Sequence, residues 1–351
     1  MYTERYLESF PHSAALLEAE PDELAPLVRS STRERISRLA RSVPLPVQTA
    51  CYEARLGASN SRVDLALCVF PGISSTALAA ITEEHGSDPS WARAVEFLEK
   101  WNEPSRQLEV PFVWLAFDLD EGQRSLPSPC LGLCVDPGFF QRRLGLGIPG
   151  TVPVPELVRL AREYFEELHG EAMPDRCVGL LERCLDGDVL AKHYSYMLGR
   201  SPATFKVDVR LPVRRVASYL QHVGWRADLP RLDARIRELM PWDGEIQLNL
   251  VLHPELRGPL EVEFMTQAEG VSSRHRSEFM ARLTALGLCD PGKADVLRRS
   301  WEQPRGLLDD GRPYARSWYV KVRFEAEEPV EAKVYLGLIA RQSDFSTSPA
   351  S

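Results

Sequence analysis

The feature that most constrains the fold is a repeated order: five times along the chain, two strand-like runs are followed by helical sequence. The strand pairs span residues 48–56 with 62–70, 111–119 with 130–136, 192–198 with 204–210, 244–253 with 259–266, and 317–325 with 331–340. Helical patterning lies between them, as at Val154–Leu168 and Arg214–Val223. We predict an α+β fold in which five strand-pair and helix-pair repeats form one ten-stranded antiparallel β-barrel with its helices outside. Closure removes the exposed edges that an open sheet of this size has to protect.

The repetition favours one barrel domain over residues 43–340, because no composition shift marks a linker inside it. Residues 1–42 are helical in pattern and are predicted to pack on the barrel as an N-terminal segment. Residues 341–351 read as a flexible polar tail. The glycine-rich stretch 137–153 lacks the Lys-Ser/Thr of a phosphate-binding loop, so we expect a plain loop there.

The net charge and the cysteine content indicate which kinds of binding partner are unfavourable and which cellular compartment is expected. A net charge of −8 and a pI near 5.5 argue against nonspecific binding to nucleic acid or to an anionic membrane. No apolar run reaches the roughly 18 residues that a membrane span needs. Seven cysteines, an odd number at irregular spacing, fit reduced thiols in a cytoplasm.

Alternate residues of the predicted strands separate into an aliphatic face and a polar face. The polar face carries cations, acids and aromatic rings: Glu53, Arg55, Arg62, Asp64, Trp114, Asp118, Lys206, Asp208, Arg210, Gln247, Asn249, Glu261, Glu263, Tyr319, Lys321, Arg323, Lys333 and Tyr335. Strand 192–198 is ambiguous, but Lys192, Tyr194 and Tyr196 are alternate residues that could join this face. An open sheet with one wet face gives the same alternation. Ten such strands in succession favour a barrel with a polar lumen.

A lumen of this composition has a definite chemistry. Basic side chains on facing strands clamp an anionic group, and tyrosine rings cover an apolar or carbocationic one. A nearby carboxylate serves as a general base or a metal ligand. Trp114 lies on the polar face, so it is a candidate stacking surface for an aromatic ligand.

This arrangement resembles the aromatic prenyltransferases of the ABBA type, whose barrel has five such repeats. The final strand carries Lys333 and Tyr335 in the order Lys-x-Tyr, like the strands that hold a prenyl diphosphate in that family. Glu53 on the first hairpin is similar in position to the family's base. The sequence Arg62-Val63-Asp64-Leu65 is similar to the Asp-bearing strand that helps hold magnesium in some members.

The resemblance implies an enzyme that transfers an isoprenoid from its diphosphate to an electron-rich acceptor, aromatic or peptide, inside the lumen. Diphosphate binding would fall to the basic side chains Arg55, Lys206, Lys321, Arg323 and Lys333. Tyr335 with Tyr194 would shield the allylic cation, and Glu53 would take a proton from the acceptor. Asp64 would hold Mg²⁺ if one is used. Trp114 and Gln247 would contact substrate; Gln247 begins a Gln-x-Asn sequence where the family often has Gln-x-Tyr.

The sequence also departs from the family pattern. Lys206-Val207-Asp208 and Lys321-Val322-Arg323 replace Lys-x-Tyr, and Glu261 and Glu263 place two carboxylates on the lumen face. Acids and bases in near balance suit a zwitterionic or peptidic ligand. The alternative is therefore a barrel that binds or modifies a peptide or small metabolite in a biosynthetic pathway without prenyl chemistry. A third possibility is a different enzyme that uses Glu261 and Glu263 as paired carboxylates.

Overall fold

The structure is a computed structural model. It describes residues 12–19, 24–58, 62–103, 105–106, 110–120, 124–136, 152–186, 189–198, 204–252, 256, 258–266, 271–302, 305–308 and 311–340. The predicted loop at 137–153 lies almost wholly outside the described residues, and so does the predicted tail at 341–351. The division of the chain at residue 42 stays a prediction.

Eleven strands are present in the described part of the chain. They are β1 (Val47–Arg55), β2 (Val63–Val69), β3 (Val113–Phe117), β4 (Cys130–Cys134), β5 (Leu190–Met197), β6 (Thr204–Pro212), β7 (Glu245–Leu252), β8 (Leu260–Phe264), β9 (Arg305–Leu307), β10 (Pro313–Glu325) and β11 (Glu328–Ala340). All except β9 correspond to predicted strands.

Antiparallel pairing closes ten of these strands into the predicted barrel. Strands β1 to β8 pair in chain order, β8 pairs with β10, β10 with β11, and β11 returns to β1. The register at the seam places Glu53 opposite Tyr335, and Tyr335 opposite Tyr319. The short β9 pairs only with the first residues of β10, outside the segment that pairs with β8. The ten-stranded barrel therefore closes without β9.

Helices surround the barrel between successive hairpins. The described residues contain α1 (Ser13–Glu18), α2 (Ser30–Ala40), α3 (Ser75–His85), α4 (Pro89–Trp101), α5 (Val154–His169), α6 (Asp175–Leu185), α7 (Val216–His222), α8 (Leu229–Leu239), α9 (Ser273–Ala285) and α10 (Pro291–Glu302). In the described part of the chain, no helix is long and apolar enough to cross a membrane.

Helix α5 shows how the sequence sets this outer layer. Its apolar residues recur at helical spacing and are buried, among them Leu157, Ala161 and Tyr164. The helix ends at Gly170, whose φ of 75° is a left-handed conformation that glycine adopts without a Cβ penalty. Apolar helix faces of this kind cover the aliphatic faces of the strands. The main hydrophobic core therefore lies between the barrel and the helices. The polar strand faces are left to line the interior.

Candidate active site

A cavity of about 760 Å³ fills the interior of the barrel, and each of its ten strands contributes lining side chains. This volume lies in the usual range for small-molecule sites. The polar lumen predicted from the strand alternation is therefore confirmed.

The cavity has two chemically different walls. Strands β2, β3 and β4 contribute small and apolar groups, including Ala66, Ala116 and Gly132 around Trp114. A Cβ on Gly132 would lie 3.2 Å from the Cβ of Trp114, so the glycine makes room for the indole. The facing wall, formed by β6, β8, β10, β11 and β1, carries most of the charge.

Each of the three predicted lumen lysines is held by a carboxylate. Lys333 Nζ lies 2.9 Å from Glu53 Oε1, and Lys206 Nζ lies 3.2 Å from Glu261 Oε2. Lys321 Nζ lies 3.0 Å from Glu263 Oε1 and 3.5 Å from Glu261 Oε2. An anionic ligand therefore has to compete with carboxylates for these lysines.

The ion pairs shift the pKa values of Glu53 and Lys321. Burial would raise the pKa of Glu53, but the positive charges of Lys333, Lys321 and Arg55 outweigh it and lower the pKa to about 2. Burial would likewise lower the pKa of Lys321, but the carboxylates, Glu261 foremost, raise it well above its usual value. Glu53 and Lys321 are thus both ionised near neutral pH. Glu53 in this state is a weak proton acceptor, because general bases work best with a pKa near the operating pH.

Two tyrosines form an aromatic surface next to the lysines. The rings of Tyr319 and Tyr335 stack with centroids 4.6 Å apart and an interplanar angle of 8°. Lys321 Nζ lies 5.0 Å from the centre of the Tyr335 ring, a cation–π contact. Tyr335 therefore lines the cavity where the sequence predicted it, in a position that already accommodates positive charge.

Trp114 and Gln247 also line the cavity as predicted. Trp114 is half-buried, and its ring forms a T-shaped pair with the Phe112 ring, with centroids 6.4 Å apart. Gln247 donates from Nε2 to Glu263 Oε2 at 2.8 Å, so it orients a carboxylate of the charged wall.

Arg55 and Asp64 lie outside the cavity lining, in an ion pair with each other. Arg55 Nη1 lies 2.5 Å from Asp64 Oδ2, while Asp64 Oδ1 accepts from Arg62 Nε and from the backbone N–H of Leu119. Both carboxylate oxygens thus face donors, so Asp64 does not fit the magnesium role implied by the resemblance. Arg55 is held in the same ion pair outside the cavity lining, so the structure does not support its predicted contact with the diphosphate.

Arg323 and Tyr194 were also placed in the lumen by the sequence interpretation. Arg323 lies beyond the cavity lining near the end of β10, where it pairs with Glu325 at 2.5 Å. The placement of Tyr194 is wrong: its hydroxyl donates to the carbonyl of Leu157 in α5 at 3.0 Å. A register shift between Ala191 and His193 reverses the alternation of β5 at this point.

The same shift brings unpredicted groups inside. His193, Ser195 and Met197 line the cavity, and none of them belongs to the alternate set Lys192, Tyr194 and Tyr196 that the sequence placed on the polar face. Lys192, which the sequence named as a residue that could join the polar face, also lines the cavity, and its ammonium lies 2.6 Å from the buried Asp136 carboxylate. From alternation alone, either set of β5 side chains could face the cavity. No residue in the sequence indicates the register shift that decides between them.

Among the described residues, no group of three or more His, Cys, Asp or Glu side chains is arranged to hold a metal ion. In the described structure the seven cysteines are not paired with one another.

Comparison with solved structures identifies the fold. AnaPT from Neosartorya fischeri is 12% identical, with 95% of this chain and 94% of that chain covered and a TM-score of 0.51. The 6-dimethylallyltryptophan synthase of Micromonospora olivasterospora, solved with DMASPP and Trp, is 14% identical over 93% of this chain and 96% of that chain, with a TM-score of 0.54. The prenyltransferase PriB is 14% identical over 97% and 96%, with a TM-score of 0.52.

No family model and no curated protein matches the sequence. At these identities the solved structures establish the fold alone. The predicted architectural resemblance to aromatic prenyltransferases is confirmed, with the coverage extending over nearly the whole chain.

Proposed function

We propose that the protein transfers an isoprenoid from its diphosphate to an aromatic acceptor inside the barrel. One observation carries the proposal: the cavity inside the closed barrel brings lysines and stacked tyrosines face to face with a small, uncharged wall that contains Trp114. The fold is that of structures which include a dimethylallyltryptophan synthase bound to DMASPP and Trp.

The charged wall suits the leaving group. Lys206, Lys321 and Lys333 come from three strands and converge on one side of the cavity, so they would hold a diphosphate. As the bond between the allylic carbon and oxygen breaks, negative charge grows on the diphosphate and positive charge on the prenyl group. Fixed ammonium groups stabilise the first charge, and the electron-rich ring of Tyr335 stabilises the second.

The uncharged wall suits the acceptor and the prenyl chain. Trp114 offers a ring surface for stacking an aromatic acceptor, and the space beside Gly132 and Ala116 accommodates apolar groups. Glu53 remains ionised, so it can accept a hydrogen bond from an acceptor N–H or O–H and orient the ring.

The ion pairs favour a second candidate. Each of the lysines Lys206, Lys321 and Lys333 already has a carboxylate partner, as expected for a chamber that binds a zwitterionic or peptidic ligand without prenyl chemistry. The two functions differ in whether a prenyl diphosphate binds at the lysines.

Thermal unfolding with dimethylallyl, geranyl and farnesyl diphosphate, each with and without Mg²⁺, tests the proposal. A ligand at about 100 times its Kd stabilises the native state by roughly 2.7 kcal/mol. At about 2 cal/mol/K of unfolding entropy per residue, this raises the Tm of a 351-residue chain by about 4 °C.

Lys206→Met and Lys333→Met should lose this shift. Lys100→Met is the matched control, because Lys100 lies on the outer helix α4, where it pairs with Glu96. Product mass with a panel of indoles and phenols then identifies the acceptor class. Stabilisation by amino acids or short peptides, with no shift for any prenyl diphosphate, would support the second candidate instead.

A further inference from the structure

Asp208 is a lumen carboxylate that the mechanism above does not use. It lies on β6 with the side chain facing the cavity, two residues after Lys206, and is 8% exposed. In the register of the barrel it stands between His193 on β5 and Asn249 on β7. It therefore lies in the same cavity as the lysines and tyrosines, within reach of a bound acceptor.

Asp208 differs from the other lining carboxylates because no Lys or Arg of the described residues forms an ion pair with it. Glu53, Glu261 and Glu263 each form an ion pair with a lysine, and Asp118 at the cavity lining is close to an arginine. Among the described residues, the basic group within 4 Å of Asp208 is the His193 imidazole, with Nδ1 3.8 Å from Oδ2.

The imidazole supplies no positive charge. Burial lowers the pKa of His193 to about 3, and the charges of Lys192, Arg210 and Lys321 act in the same direction. A neutral neighbour at this distance does not stabilise the ionised carboxylate by charge, so Asp208 keeps its affinity for a proton.

A second observation points to a ligand beside Asp208. Asn249, its register partner on β7, is 3% exposed and lines the cavity. Its Nδ2 has no hydrogen-bond partner within the described structure. A buried amide donor left unpaired costs about 1–3 kcal/mol, a cost that an acceptor atom of a bound ligand would remove.

The electrostatic environment of Asp208 is suited to proton transfer. Burial raises its pKa to about 7, and Glu263 adds to this effect, while Lys321 and Lys206 partly offset it. The charged and titratable groups on this side of the cavity are Lys192 and His193 on β5, Lys206 and Arg210 on β6, Glu261 and Glu263 on β8, and Lys321 on β10. A carboxylate in this range is far better matched to general-base catalysis near neutral pH than Glu53.

We propose that Asp208 is the catalytic base that removes the proton of the prenylated ring, with Asn249 binding a hydrogen-bond acceptor atom of the aromatic substrate. This inference rests on the proposed prenyl transfer. The allylic C–O bond breaks and its electron pair leaves with the diphosphate, and a new C–C bond forms between the prenyl group and the ring. The ring C–H bond then breaks, its electrons restore aromaticity, and the proton passes to a carboxylate oxygen of Asp208.

The first test needs only the wild-type chain. Product formation from a prenyl diphosphate and an accepted aromatic substrate is measured in single turnovers from pH 5 to 9. The rate should rise with an inflection near pH 7, because only ionised Asp208 accepts a proton. A rate that is flat over this range overturns the assignment by itself.

The second test separates ionisation of the diphosphate from loss of the ring proton. In Asp208→Asn, release of diphosphate should continue, because breaking the C–O bond requires no base. Formation of the prenylated product should fall about 100-fold and lose its inflection. Asp208→Ser is a second neutral replacement with the same expected loss. Asp295→Asn is the matched control, since Asp295 lies on the outer helix α10 with its side chain 53% exposed and should leave both readouts unchanged.

These measurements distinguish failure of the proposed prenyl transfer from failure of the role assigned to Asp208. If the wild type releases no diphosphate and yields no product with any substrate pair, the proposed function and this inference are both overturned. Product within 3-fold of wild type in Asp208→Asn overturns the role of Asp208 alone. Equal loss of diphosphate release and product also overturns it, because Asp208 would then act in substrate binding.

Discussion

The buried ion pair between Lys192 and Asp136 stabilises the cavity wall, and its contribution to the free energy of unfolding can be measured directly. The two side chains are 1% and 2% exposed, and Nζ lies 2.6 Å from Oδ2. The pair ties β5, beside the register shift that directs His193 inward, to the residue two positions after β4. Replacing Asp136 by Asn removes the carboxylate charge that lies against this buried ammonium.

The expected loss of stability follows from this burial. Removing one partner of a buried pair typically costs about 3–5 kcal/mol, because the remaining charge keeps its desolvation penalty. With an unfolding entropy of about 0.7 kcal/mol/K for 351 residues, Asp136→Asn should lower the Tm by about 4–7 °C. Burial already lowers the pKa of Lys192, Arg210 lowers it further, and Asp136 opposes both. Without Asp136 the lysine deprotonates more readily, so the loss should shrink as the pH rises.

A double-mutant cycle isolates the pair. Urea unfolding of Asp136→Asn, Lys192→Met and the double variant should show the double variant losing about 3 kcal/mol less than the sum of the two single losses. Additive losses would refute the reasoning, since they would mean that neither charge depends on the other. A loss in Asp136→Asn that is the same at pH 7 and pH 10 would contradict the role assigned to the lysine charge.

Three further predictions concern stability and its pH dependence. The raised pKa of Asp208 means that the native state loses stability as the pH rises from about 4 to 7, so Asp208→Asn should be more stable than wild type at pH 8 but not at pH 4, by urea midpoints. The lowered pKa of Glu53 has the opposite sign: its contribution is present above about pH 4.5 and is lost towards pH 2, so Glu53→Gln should be destabilised at pH 7 and approach wild type at pH 3. Tyr194→Phe removes the hydrogen bond to Leu157 and should cost about 1 kcal/mol in chemical unfolding, with no change in KM because this hydroxyl points away from the cavity.

The sequence predicts the barrel well because strand alternation and hairpin spacing are local signals repeated five times. A single strand such as β6, with Lys206 and Asp208 alternating with Val207 and Val209, could belong to an open sheet. Ten strands that share one polar face have few other ways to avoid exposed edges. The short β9 was missed, since three residues carry too little pattern to be recognised.

The site is predicted less completely, because charge pairing depends on neighbours that are distant in sequence. Lys333 and Glu53 are 280 residues apart and meet only at the seam of the barrel. Arg55 and Asp64 share the polar alternation with Glu53, yet they bind each other instead of lining the cavity. Tyr194 was misplaced by a one-residue shift, and such a shift exchanges the two faces of a strand.

The charge balance of the lumen determines where affinity for a prenyl diphosphate must come from. In the part of the chain that the structure describes, the lining contains five basic side chains, Lys192, Lys206, Arg210, Lys321 and Lys333, and five acidic ones, Glu53, Asp118, Asp208, Glu261 and Glu263. A diphosphate entering this chamber gains lysine contacts but displaces carboxylates from them, so its net electrostatic gain is small. The isoprenoid tail, in contrast, gains about 0.8 kcal/mol for each CH₂ equivalent that it buries against the uncharged wall. Affinity should therefore rise steeply from inorganic diphosphate to dimethylallyl and geranyl diphosphate in titration calorimetry. Equal affinity for inorganic and prenyl diphosphate would mean that the lysines hold the anion more strongly than their carboxylate partners allow.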